Sequence, residues 1–339
     1  MVLEFLLTAL VASGGQVRAS PSGPLLWRSL AEPPPAGFGL ELQFPRLTPV
    51  PRMDLDLAAA PEAGAAPPPA PRKIWIAAVS AGAVLGSAYN SFGDGPSQKF
   101  HFTNEGWFGR NTYMGGADKA SHFVSFDVTA RLLTMVYEML DAPVDGSRLL
   151  GAGVSALTGL VTEIGDGTTH YGFSYEDLIV DALGAATALA TAHYGLDDLI
   201  GFRVGVVPAP EVPCCVSGLG RDYSEEIYTG DLKIAGLARR WKFNPGPARF
   251  LLLSLTYGTK GYPYGAVEIR ERQIGIEIGL HLTEIMRALG VPEHPWWGKI
   301  LYFAFDTIRI PYTSIGYQFD LNHNQWRGPG IGASFPGGP

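Results

Sequence analysis

Asp118 and His122 stand four residues apart, as do Asp177 and Asp181, each pair in a stretch with helical apolar spacing. Residues at i and i+4 share one helix face, so each pair presents two titratable side chains together. Ser125 and Thr129 continue the first face, and Gly184 and Ala185 follow the second. Glu163 and Asp166 end the helical stretch between them, and His170 follows in a loop. If these helices are antiparallel neighbours, one end of a bundle gathers carboxylates, an imidazole and Lys119. Carboxylates packed this closely raise one another's pKa unless a cation neutralises them. Three chemistries fit. One is a divalent metal site, with Asp118, His122, Glu163, Asp177 and Asp181 as the candidate ligands, because oxygen donors plus one imidazole suit a hard or borderline cation. Another is acid/base catalysis by the same five residues. The third is a helix-end cluster of caps and salt bridges, with Ser174 as N-cap and Glu176 and Asp177 in the first turn.

The elements that must position these residues are mostly helical. Ile74 to Tyr89 is a run of sixteen uncharged residues. At 1.5 Å per residue it spans roughly 24 Å, so it reads as a buried helix or a marginal membrane span. Helical stretches follow at about Asp118–Leu140, Ser147–Glu163 and Ser174–Tyr194, and Gly and Ala in Leu149–Val161 allow close helix approach. Four helices with short connections predict an antiparallel bundle. The long connection, about residues 91–117, contains Asn104-Glu105-Gly106-Trp107-Phe108-Gly109 and reads as a loop over one end of it.

The last third changes period. Ile274, Ile276, Ile278, Leu280 and Leu282 alternate with polar or small residues, and so do Ile315, Tyr317, Phe319 and Leu321. Strict alternation predicts strands with one buried face. Phe250–Tyr257 is a third candidate strand, and Thr283–Leu289 and Trp297–Ile308 read as short helices. Three or four strands form a small sheet packed on helices, which Asn322-His323-Asn324 beside Trp326 would end. Trp296 and Trp297 fit an interfacial anchor or tight core packing equally. His193, His281, His294 and His323 are isolated in sequence and read as structural.

Ahead of the helices, residues 1–20 read as an export signal or uncleaved anchor. Residues 21–72 carry 13 of the 27 prolines and read as a Pro/Ala-rich tether, with one short strand at Leu40–Leu47. The adjacent Cys214 and Cys215, in a Pro-flanked loop, predict two reduced thiols or at most a labile vicinal bond that adds little stability, because neighbouring Cα atoms sit closer than a disulfide prefers.

The 339 residues carry a net charge of −7 with only 17% charged residues and a mean hydropathy of +0.10. Residues 73–200 hold 6 basic and 14 acidic groups, net −8, so the acidic excess lies with the helices. No strongly basic region points to nucleic acid, 46% hydrophobic content excludes general disorder, and no phosphate loop or nucleophile elbow is spelled.

Gly116-Ala117-Asp118-Lys119-Ala120-Ser121-His122-Phe123, Glu163, Gly172-Phe173-Ser174-Tyr175-Glu176-Asp177-Leu178 and Asp181-Ala182-Leu183-Gly184-Ala185 together resemble the YfiM-type family of predicted periplasmic lipoproteins, a domain of unknown function. The resemblance covers about residues 104–196. A more distant likeness is to VanZ-like membrane proteins, which share D-K-x-x-H and a mid-domain Glu but carry Asn where Asp181 stands. The resemblance implies a helical envelope protein and that Asp118, His122, Glu163, Asp177 and Asp181 act together. It implies no reaction.

The expected chain is therefore mainly α. It has a signal-like segment (1–20), a tether (21–72), a small-residue-rich antiparallel helical bundle (73–200, YfiM-like at about 104–196) and a C-terminal α+β portion (201–339) containing a few strands. Its expected place is the bacterial cell envelope, periplasmic or membrane-associated, with membrane or envelope components as partners. The expected function is a structural or binding role, with a divalent metal ion as the candidate cofactor. The alternative is a metal-assisted hydrolase or transferase acting on an envelope lipid or glycan.

Overall fold

The computed structural model describes residues 71–92, 95–206, 223, 226–262 and 269–331. The signal-like segment, the tether through residue 70, the strand expected at Leu40–Leu47 and the Cys214–Cys215 pair lie outside the described residues.

Four long helices come first: α1 (Lys73–Phe92), α2 (Ala117–Met139), α3 (Val144–Asp166) and α4 (Tyr175–His193). Ser174 caps α4 by accepting the amide of Asp177 at 3.2 Å, and Glu176 and Asp177 fill its first turn, where negative charge is favoured. α2 packs on both α3 and α4, and α1 packs on α3. Ser87 fixes α1 to α3, donating to the Thr158 carbonyl at 2.9 Å and meeting the Thr162 hydroxyl at 2.8 Å. No described helix is long and apolar enough to cross a membrane.

Missing side chains set the helix spacing. A Cβ on Gly184 of α4 would sit 2.3 Å from the Phe123 carbonyl oxygen and 3.0 Å from the Asp127 amide, both backbone atoms of α2. Gly184→Ala therefore forces two packed helices apart. We expect it to destabilise the fold by about 1–3 kcal/mol, read as a lowered thermal midpoint. An unchanged midpoint would show that the contact yields freely.

Two residues each from β1 (Phe102–Thr103) and β2 (Phe173–Ser174) pair in parallel and hold the loop after α1 against the start of α4. The third part is a seven-stranded sheet. Its strands are β3 (Ile200–Val206), β4 (Glu226–Lys233), β5 (Leu251–Lys260), β6 (Glu271–Leu280), β7 (Ile308–Arg309), β8 (Ser314–Asp320) and β9 (Gln325–Ile331), in the order β7-β3-β4-β5-β6-β8-β9. All neighbours are antiparallel except β3 and β7. The short helices α5 (Ile234–Trp241), α6 (Leu282–Ala288) and α7 (Trp296–Thr307) lie in the connections.

The sheet exceeds the expected three or four strands. β3 and β4 carry Arg203, Asp231 and Lys233 among glycines, which hides them from an apolar-alternation reading. The turn Leu321–Asn324 does not end the sheet; the chain returns as β9, which contains Trp326.

The alternation in β6 holds, but the buried face is the polar one. Gln273, Gly275, Glu277 and Gly279 are buried, while Ile276, Ile278 and Leu280 are exposed. The reason is curvature. Arg309 on β7 donates to Glu277 on β6 at 2.7 Å, although three strands separate them. In a flat sheet they would lie roughly 19 Å apart at ~4.8 Å per strand. The sheet rolls so that its polar face is concave and its polar side chains pair across the concavity. Arg203 pairs with Asp231, which also accepts from Ser254 at 2.6 Å, and Ser314 donates to Glu277 at 2.7 Å. On the apolar side, α2 covers β3 and β4, with Phe123 edge-on to Phe202 at 5.0 Å and Val124 and Val128 packed near Tyr228.

Candidate metal or acid–base centre

The start of α2 is set by a turn at Tyr113–Gly116 in which Met114, Gly115 and Gly116 all have positive φ. A Cβ on Gly116 would meet Phe108 at 2.6 Å, so glycine is needed on two counts. This turn leads directly into the helix that carries Asp118, Lys119 and His122.

Lys119 is fully buried amid carboxylates. Its ammonium donates to Glu105 and to Asp118 at 2.9 Å and forms an ion pair with Asp177 at 2.7 Å. His122 presents Nδ1 to Asp181 Oδ1 at 2.8 Å and Nε2 to Asp118 Oδ1 at 3.8 Å. Asp118 also accepts from the Tyr223 hydroxyl at 2.8 Å. Glu163 accepts the amide of Ser174 at 3.0 Å, tying the end of α3 to the cap of α4.

These groups border a cavity of about 550 Å³. Asp118, His122, Ser125, Glu163, Asp166, His170 and Asp177 line it, together with Glu105, Tyr113, Tyr223 and Glu226. Asp181 does not line it. It is fully buried behind His122, where a Cβ on Gly159 would meet its Oδ2 at 2.6 Å. That Oδ2 has no hydrogen-bond partner.

Burial and mutual repulsion divide the carboxylates. Burial, with Asp118 and Asp177 nearby, pushes Glu105 up to about 9 despite Lys119. Burial likewise raises Glu163 to about 8, against the pull of His122, and Asp166 to about 6. Burial opposes ionisation of Asp118 too, but His122 and Lys119 outweigh it and hold the group down at about 2. Burial also disfavours the His122 imidazolium, yet Asp181 and Asp118 raise it well above its ordinary value.

Two sets of donors have one atom per residue all within 4.8 Å of one another: Asp118, His122 and Asp177, and His122, Glu163 and Asp181. Both contain His122, and together they take in all five residues singled out by spacing. The donor chemistry fits a divalent cation, and the buried Asp181 Oδ2, which no hydrogen bond satisfies, stands beside the imidazole that would ligate it. Glu105 and Tyr223 were not singled out as site residues. Glu105 stands in the Asn104–Gly109 motif, which does cap the cluster, but its tie to Lys119 spans fourteen residues and has no periodic signal. Tyr223 reaches Asp118 across 105 residues.

Residues 104–193 match a family model described as "Predicted periplasmic lipoprotein (DUF2279)". The match spans the capping loop and α2, α3 and α4, the helices that carry the five candidate residues or their cap, and nearly the extent over which the sequence resemblance was expected. It is consistent with an envelope, periplasmic or membrane-associated location. No curated protein and no solved structure matches the chain.

Two histidines read as isolated have defined surroundings. His323 meets Asp320 at 2.7 Å, and both stand with Glu271 in a third compact donor group, whose two carboxylates Arg327 already bridges. His281 lines a second cavity of about 280 Å³. Burial, reinforced by Lys233, lowers it to about 4.

Proposed function

We propose that this envelope protein is a metal-assisted hydrolase or transferase acting on an envelope lipid or glycan, with the cation held by Asp118, His122 and Asp177. One observation carries the reading: this three-donor group borders an open cavity of about 550 Å³. Three protein ligands with a free side characterise catalytic sites, whereas structural sites are closed by a fourth ligand. Asp181 at His122 Nδ1 supports it, since a carboxylate behind a ligating imidazole fixes the ring and its tautomer. A bound divalent cation would polarise a carbonyl or phosphoryl oxygen and acidify a water. Glu163, raised to about 8 in the same cavity, would give or take a proton near neutral pH. In this reading the four long helices form an antiparallel bundle whose one end gathers the donors. The envelope location restricts substrates to what that compartment presents, lipid head groups and glycans.

A purely structural or binding role is the second reading. It is favoured by Lys119, a built-in cation that already contacts Asp118, Asp177 and Glu105. Metal analysis separates the two. The chain purified without chelator is expected to retain about one divalent ion, and Asp177→Asn or His122→Gln to lose it. Saturating the chelated protein at about 100 times the dissociation constant would add about 2.7 kcal/mol of stability. No retained ion, and no thermal shift with zinc, manganese or magnesium, would leave the structural reading standing.

A further inference from the structure

On β5, Ser254 and Thr256 point into the buried concave side, and Leu253 and Leu255 are exposed. β6 and β8 repeat the pattern, with Ile276, Ile278, Ile315 and Tyr317 exposed. Strand register aligns these side chains into two rows, Leu255–Ile276–Tyr317 and Leu253–Ile278–Ile315. No charged residue interrupts this face between Leu251 and Tyr257 on β5 or between Ile274 and Leu280 on β6. An antiparallel sheet that meets water turns its polar residues outward. Polar-in and apolar-out is the arrangement of strands that meet lipid.

The rim supplies the charge. Where Leu251 and Leu280 end the rows, the chain from Ile234 to Phe250 has four basic residues and no acidic one. Trp241, Lys242 and Phe243 are exposed there, and Arg249 stacks over the Phe250 ring at 4.6 Å. Arg239 and Arg240 pair with Asp198, which leaves Lys242 and Arg249 as the cations offered outward. Aromatic and basic side chains at the edge of an apolar face match the headgroup layer of a bilayer.

We propose that the outward face of β5, β6 and β8 is a membrane-binding surface: Leu253, Leu255, Ile276, Ile278 and Tyr317 enter the acyl region of an anionic bilayer while Lys242 and Arg249 bind its headgroups. The surface stands apart from the cavity and does not depend on the catalytic reading.

Flotation of the full chain with vesicles tests it. The wild-type chain is expected to float with phosphatidylcholine–phosphatidylglycerol vesicles and less with phosphatidylcholine alone. Leu255→Ser/Ile276→Ser/Tyr317→Ser, at exposed positions, is expected to lower the bound fraction by more than about tenfold with an unchanged circular dichroism spectrum. Lys242→Glu/Arg249→Glu is expected to remove the preference for anionic vesicles and leave the apolar face intact. The proposal is overturned if the wild type does not float, or if the serine variant floats as well as the wild type, which would put membrane contact elsewhere in the chain. It is equally overturned if light scattering without lipid shows a dimer that the serine variant dissociates, since a second copy would then cover the face.

Discussion

Replacing Lys119 by methionine is expected to destabilise the fold by about 3–5 kcal/mol, the range for breaking a buried ion pair from one side. Methionine keeps much of the length and apolar volume but removes the charge that meets Asp118, Asp177 and Glu105 together. All three carboxylates are nearly inaccessible, so water cannot take over. Urea unfolding followed by circular dichroism measures the loss. Combining Lys119→Met with Asp177→Asn should cost less than the sum of the two, because the second change removes a charge the first left unpaired. A single-mutant cost under about 1 kcal/mol would show that the cluster relaxes or discharges by taking up protons.

Alkali is expected to destabilise the chelated protein progressively between about pH 5 and pH 9. Glu105 and Glu163 have folded values of about 9 and about 8 against an ordinary 4.5. The folded state therefore holds protons that the unfolded chain has released. Stability from these groups is complete below 4.5 and is lost as the pH rises through 8 to 9. His122 acts in the same direction, because its folded value is also raised: its contribution is full below 6.5 and fades above that. Asp118 acts oppositely and at the other end of the scale, its contribution fading only as pH falls from 3.8 toward 2. Thermal midpoints across this range, with chelator present, should be highest at mildly acidic pH. Glu163→Gln should flatten the alkaline limb. A midpoint that rises from pH 5 to pH 8 would refute the charge balance described for the cluster.

Several helices were legible almost to the residue. The stretch read as Asp118–Leu140 is Ala117–Met139, and that read as Ser174–Tyr194 is Tyr175–His193. Caps, apolar spacing and Gly or Ala at close contacts are local signals, and they survive folding unchanged. Of the five candidate residues, Asp118, His122, Glu163 and Asp177 do line one cavity. Asp181 instead stands behind His122, because its helix turn is pressed against Gly159 of α3. The i, i+4 rule places two side chains on one face but says nothing of which will reach the open space. The strands were less legible. Two-residue β7 has no periodicity to detect, and β9 contains Gly328, Pro329 and Gly330, which sequence rules count against a strand but a sheet edge accepts.

The sequence by itself determined the long helices, the alternation in the longest strands and the grouping of the titratable residues. Each depends on spacings of two to four residues along the chain. Only the tertiary structure decided that Lys119 is the hub of the acidic cluster, that Glu105 and Tyr223 join it, and that the polar side of the sheet is the interior. Those outcomes depend on contacts such as Arg309 with Glu277 and Tyr223 with Asp118, made across 32 and 105 residues. Alternation states that a strand has two unlike faces. Which face is buried depends on the direction in which the whole sheet curls, and on whether its polar side chains find one another across the concavity.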